Sequence, residues 1–233
     1  MASTVRVRCT DGSNLDALVA TADVGPLPGV LILHEIFGLT DFIHSLLAFF
    51  SERQFIAMAP DLYHRVAPGK VFGYSGDSWL QAVSARNRLH DDQSVRDVGA
   101  CVQALRSMPS CSGSVALVGY CLGGLYAFLG AATLDVNAAV SVHGVRIETH
   151  LDKTRSIKVP LQLHFCGRDK HVPEDALVQI TESIKENGMI ETCYYPEAEH
   201  GFTRLGQPVY RYQDAAKAQE RLLEFLNSKV RDR

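Results

Sequence analysis

The sequence predicts an α/β protein with a mostly parallel central sheet covered by helices on both faces. Three observations carry this expectation. Short β-branched runs such as Gly29–Leu33 and Val115–Val118 are apolar at successive positions rather than alternating, as strands buried on both faces are. Segments with apolar residues at helical spacing lie between them. Strands that alternate in this way with helices build parallel sheets.

Taken in order, Val5–Cys9 alternates with period two, Asp11-Gly12 is a turn signal and Leu15–Ala20 reads as a second strand, so the chain opens with a hairpin. Gly29–Leu33 is a central strand ending at His34-Glu35-Ile36-Phe37-Gly38. Asp41–Arg53 is a helix with Thr40 as its N-cap and Phe42, Ile43, Leu46, Leu47 and Phe50 on one face. Phe55–Ala59 is a strand stopped by Pro60-Asp61-Leu62-Tyr63. His64–Ser78 has no periodicity and is either a lid over a site or flexible surface. A helix follows at His90–Ser107, with Val95, Val98, Val102 and Leu105 in register. Further on come strands at Ala138–His143, Val159–Phe165 and Ile190–Tyr195. Glu174–Asn187 is a helix closed by Gly188 as its C′ residue, and Ala215, Ala218, Leu222, Phe225 and Leu226 mark a last helix. No repeat, linker or shift in composition divides residues 1–233, which read as a single domain.

Composition narrows the function. The chain is 46% hydrophobic and 21% charged with a formal net charge of −3, a globular balance that does not point to nucleic acid or an anionic membrane. No apolar run approaches the roughly 18 residues of a membrane span, and the N-terminus lacks a secretory hydrophobic segment. A cytoplasmic monomer is expected. The six cysteines form no CxxC pair and no zinc-ligand spacing, and the histidines show no HExxH or HxH pattern, so no metal site is expected. Cys9, Cys101, Cys166 and Cys193 fall within apolar patterns and read as small buried residues. Cys121 is different, because its position forces it outward.

Cys121 stands in Gly119-Tyr120-Cys121-Leu122-Gly123-Gly124, between the apolar run Val115–Val118 and a second apolar run that suits a helix. Strand, tight glycine turn and helix are the setting of a nucleophile elbow, here with cysteine where serine is usual. The turn is so sharp that its flanks must lack bulk. In a parallel sheet, ligands bind beyond the carboxyl ends of the strands. Glu35, Cys121, Asp169 and His200 all follow an apolar strand, and the order nucleophile, acid, histidine is that of α/β-hydrolases. A thiol attacks only as thiolate, an imidazole can take its proton, and Asp169 would hold the imidazole in the right tautomer. The backbone N–H groups of Leu122 and Ile36 are the expected oxyanion donors.

The stretches Gly119–Gly124, His34–Gly38, Pro60–Tyr63 and His200-Gly201-Phe202 resemble the dienelactone hydrolase (carboxymethylenebutenolidase) family, and the resemblance runs along nearly the whole chain. It implies an α/β-hydrolase fold with a Cys121–His200–Asp169 triad that opens an enol-lactone ring without metal or organic cofactor. It also implies that Glu35 lies beside the nucleophile and that Arg204 binds a substrate carboxylate. A carboxylate against a thiolate raises the cost of ionising both. Glu35 therefore either keeps Cys121 a neutral thiol until an anionic substrate displaces it, or bonds local backbone donors. Better-known members of the family carry a second carboxylate-binding arginine before the helix leading to the elbow, whereas Gly76–Val83 has none. A carboxylesterase or thioesterase of broader specificity is the alternative, and a non-catalytic redox or binding module on the same fold is a further one.

Overall fold

β1 (Ser3–Arg8) and β2 (Asn14–Ala20) form the opening antiparallel hairpin in a computed structural model that describes residues 2–22 and 25–231. The chain divides into two compact units, Met1–Val115 and Ala116–Arg233.

In the first unit the strands run in the order β1, β2, β4 (Ile56–Pro60), β3 (Leu27–Leu33). β2 pairs antiparallel with β4, and β3 pairs parallel with β4 from Gly29↔Ile56 to Leu31↔Met58. β3 is buried from its second residue onward and β4 throughout, as strands covered on both sides must be. α1 (Asp41–Ser51) presents Ile43, Leu46, Leu47 and Phe50 to the core. Each such side chain, fully buried, contributes about 1.5–3 kcal/mol. Thr40 occupies the N-cap, but its side chain makes no capping hydrogen bond. α3 (Asp91–Arg106) buries Val95, Val98, Val102 and Leu105.

The aperiodic stretch turned out shorter and better packed than expected. It gives way at Gly76 to α2 (Gly76–Asn87), a helix the apolar pattern does not announce, because its only buried residues are Ala82 and Ala85. The preceding loop is tied down rather than free. Phe72 N–H donates to Phe37 O, Gly73 N–H donates to Ser78 Oγ, and the Tyr74 ring stands edge-on to Phe37 with centroids 4.5 Å apart.

In the second unit, the end of β5 (Cys111–Tyr120) and β6 (Ala138–Val142), β7 (Leu161–Cys166) and β8 (Ile190–Tyr195) run parallel in that order. The register Tyr120↔Val142, Val142↔His164 and Cys166↔Tyr195 lines up their carboxyl ends. α4 (Leu122–Thr133) is buried along most of its length, and α6 (Tyr212–Leu226) buries Ala215, Ala218, Leu222, Phe225 and Leu226. α5 (Glu174–Ile184) stops short of the expected boundary, and Lys185 rather than a residue next to Gly188 is its C-cap. A 3₁₀ segment at Ile147–Ser156, also unannounced by periodicity, follows β6.

Candidate active site

Cys121 sits between β5 and α4 with φ 55° and ψ −114°, outside the regions open to most L-residues. Its N–H donates to Val142 O at 3.1 Å, and its carbonyl accepts from Leu125 and Val145, so the backbone around it holds the strained residue in place. Gly119 shows why the elbow excludes side chains, since a Cβ there would lie 1.9 Å from Gly123 O. The positive φ falls on the cysteine, and the flanking glycine supplies room. Cys121 is buried, at 6% exposure, where an outward-projecting residue was expected. Leu122 is the first residue of α4, so its N–H has no acceptor within the helix and is available to an anion.

The loops after β7 and β8 are zipped together. Gly167 N–H donates to Tyr195 O at 2.8 Å and Arg168 N–H to Ala198 O at 2.9 Å. This brings Asp169 and His200 into contact. His200 Nδ1 donates to Asp169 Oδ2 at 2.8 Å, and Asp169 Oδ1 accepts from His171 N–H at 2.8 Å. A carboxylate oxygen only accepts, so Nδ1 carries a proton. Nε2 is buried and makes no full hydrogen bond among the described residues, and the Cys121 thiol is the group acting on it. Burial alone would lower the His200 pKa. The charge of ionised Cys121 and the hydrogen bond to Asp169 outweigh it and raise the pKa to about 10. Asp169 is buried, which favours its neutral form, but the bonds from His200 and His171 N–H win and lower its pKa.

Two further imidazoles flank His200. His143 lies on one side with ring centroids 4.5 Å apart and His171 on the other at 4.7 Å, both in T-shaped contact. His143 ends β6 with φ 41° and is 1% exposed, and neither of its ring nitrogens has a partner among the described residues. Burial first, then the charges of His200 and Arg204, push its pKa well below the ordinary value. The only hint of these neighbours in the sequence is position, one residue past β6 and two past Asp169.

Arg204 is buried at 8% exposure rather than a surface residue. It reaches back over the loop that carries His200. Gly201 has φ 83°, and a Cβ there would lie 2.3 Å from the Arg204 Cζ, so the guanidinium rests where a side chain would stand. Cys121, Leu122, Asp169, His200 and Arg204 thus all belong to the second unit.

Glu35 and Ile36 belong to the first unit, just past β3. Glu35 is 1% exposed. Its carbonyl accepts from His34 Nδ1, and His34 Nε2 accepts from Leu62 N–H at 3.0 Å, so His34 is a satisfied core histidine. The Ile36 carbonyl accepts from Tyr63 Oη at 2.9 Å, leaving the loop after β3 firmly seated.

A family profile for the dienelactone hydrolase family matches residues 15–230. The chain belongs to the dienelactone hydrolase family. It is 35% identical to a carboxymethylenebutenolidase of Pseudomonas putida over 95% of this chain and 94% of that one. It is 30% identical to carboxymethylenebutenolidase 1 of Cupriavidus pinatubonensis, covering 95% of each. Among solved structures, a putative dienelactone hydrolase from Klebsiella pneumoniae superposes with a TM-score of 0.85 at 23% identity, over 96% of this chain and 97% of that one. That likeness shows the α/β-hydrolase fold. Membership makes this chain a hydrolase acting on ester or lactone bonds of small molecules. No helix among the described residues is long and apolar enough to cross a membrane.

Proposed function

We propose that the chain, acting as a single domain over residues 1–233, opens an enol-lactone such as dienelactone (4-carboxymethylenebut-2-en-4-olide) to maleylacetate through a covalent acyl-enzyme. Cys121 is the nucleophile, His200 the acid and base, and Asp169 the group that orients it. The observation that carries this reading is the 2.8 Å bond from His200 Nδ1 to Asp169, with Nε2 left to the strained elbow thiol.

In this mechanism the Cys121 thiolate attacks the lactone carbonyl, and the Leu122 N–H, joined by that of Ile36, stabilises the oxyanion. Collapse expels the ring oxygen, which takes the proton held on His200 Nε2 and leaves as an enol that tautomerises to the ketone. His200 then removes a proton from water, the hydroxide attacks the thioester, and maleylacetate departs with Cys121 and His200 restored. Arg204 binds the substrate carboxylate, and Glu35 restrains the thiol until the substrate arrives. The steps use neither metal nor organic cofactor.

One observation favours broader ester specificity. Positions 76–83 carry no arginine, the buried residues of α2 are alanines, and Arg86 is paired with Asp91 at 3.1 Å. Steady-state hydrolysis of cis- and trans-dienelactone and of a p-nitrophenyl ester separates the readings. Dienelactone turnover that drops by about 10⁴-fold or more in Cys121→Ala is the expected result. Good ester turnover with little on dienelactone would assign the broader esterase. No turnover of any of them would overturn the enzymatic reading and leave a binding module.

A further inference from the structure

We infer that Cys9, His64 and Asp97 form a binding site for a borderline-soft divalent cation of the Zn²⁺ type, within the first unit and independent of the reaction. Cys9 Sγ, one ring nitrogen of His64 and one carboxylate oxygen of Asp97 all lie within 4.8 Å of one another. His64 Nε2 is 3.5 Å from Asp97 Oδ2. A tetrahedral zinc ion, with bonds of about 2.0–2.3 Å, sets its ligand atoms roughly 3.3–3.8 Å apart, so that edge is already in place.

The second coordination layer is also present. His64 Nδ1 donates to Asp61 O at 3.2 Å, and a carbonyl can only accept, which leaves Nε2 as the nitrogen that could ligate a metal. Nε2 is buried, has no hydrogen-bond partner among the described residues, and belongs to a side chain only 7% exposed. Asp97 is oriented by Arg65, whose Nε and a terminal nitrogen donate to its two oxygens at 2.7 Å, and by Gln93 Nε2 at 3.1 Å.

Charge sets the demand. Arg65 also pairs with Asp11 at 2.8 Å, so one guanidinium serves two carboxylates and a negative charge is left over. Burial pushes the Cys9 thiol pKa up, so its thiolate forms only with the S–metal bond, and a divalent cation then balances both charges. As the S–metal bond forms, the thiol proton passes to solvent. Bound there, the ion would fasten together the turn after β1, the loop after β4 and α3, and stabilise the first unit by mass action.

Cobalt(II) is the probe, titrated into chelator-treated full-length protein in a Cys121→Ala background, which removes the other thiol that faces a histidine. Saturation at one equivalent with visible bands of tetrahedral intensity and a near-ultraviolet thiolate-to-cobalt band is expected. Zn²⁺ should displace both signals, Cys9→Ala should abolish the thiolate band, and His64→Gln should weaken binding roughly tenfold or more. Absence of the thiolate band at one equivalent, or its survival in Cys9→Ala, overturns the inference. If Cys9→Ala fails to fold by far-ultraviolet circular dichroism, His64→Gln decides, and an unchanged affinity there overturns it.

Discussion

The His143 ring lies edge-on to that of His200 at an interplanar angle of 62°, with its own two nitrogens buried and without a partner among the described residues. Two buried imidazoles in contact are tolerable only if they do not carry charge together. Burial, and then the charge of His200, lower the His143 pKa, so His143 is held neutral beside it. It serves as a rigid wall that fixes the His200 ring between Asp169 and Cys121. His143→Ala should lower kcat by on the order of 10²-fold, the scale of a 1 Å misplacement, with KM little changed. His143→Phe keeps a flat ring and should recover most of the rate. Wild-type kcat in the alanine variant would sink this assignment.

In the proposed mechanism Glu35 restrains the Cys121 thiol until the substrate arrives. Alkylation of Cys121 by iodoacetamide near neutral pH should be several-fold faster in Glu35→Gln than in the wild type, without substrate present. Equal rates would falsify the restraint and leave Glu35 a purely structural residue at the end of β3.

Gly201 is required twice, by its φ of 83° and by the guanidinium of Arg204 lying where a Cβ would be. Gly201→Ala should cost about 1–2 kcal/mol for the left-handed backbone alone. It should also displace Arg204, raising KM for a carboxylate-bearing lactone roughly tenfold while a neutral p-nitrophenyl ester is much less affected. Arg204→Gln should reproduce the same split between substrates. A uniform loss on both would mean that Arg204 shapes the loop rather than the carboxylate subsite.

What could be read in advance follows from what leaves a periodic trace. β3, β5, β6 and β7 are apolar because both their faces are covered, and α1, α3 and α6 bury wide apolar stripes, so all of these stand out in the sequence. α2 buries only two alanines and leaves Trp79 and Leu80 exposed, so its pattern is no pattern. Cys121, Asp169 and His200 could be singled out because each lies in the turn or loop that follows an apolar strand, in the order nucleophile, acid, histidine. The contacts of His143 and His171 with His200 depend on the register of β6 against β7 and on the crossing of two loops. Cys9, His64 and Asp97 come from a turn, a loop and a helix, so no ligand spacing joins them in the chain.

His164 makes the stability of this fold sensitive to acid in a direction that can be worked out. It is fully buried in β7, with Nε2 donating to Gln162 Oε1 at 2.7 Å and Nδ1 accepting from Tyr195 Oη at 3.0 Å. Both nitrogens are thus committed to the neutral form. Burial first, and then the charge of Arg221, lower its pKa to about 3. In the unfolded chain a histidine titrates near ~6.5. As pH falls below that value the unfolded state takes up a proton that the folded state refuses, so stability is complete above about 6.5 and declines toward 3 by about 1.4 kcal/mol per pH unit for this residue. His34 and His143, both buried with lowered pKa, act in the same sense. His164→Leu should be less stable at pH 7, where it loses two hydrogen bonds, yet its urea midpoint should fall less steeply between about pH 6 and 4. The slope of unfolding free energy against pH should be smaller than in the wild type by about 1.4 kcal/mol per unit. Equal slopes in the two proteins would mean that His164 takes a proton without unfolding the chain, and that the acid sensitivity resides elsewhere.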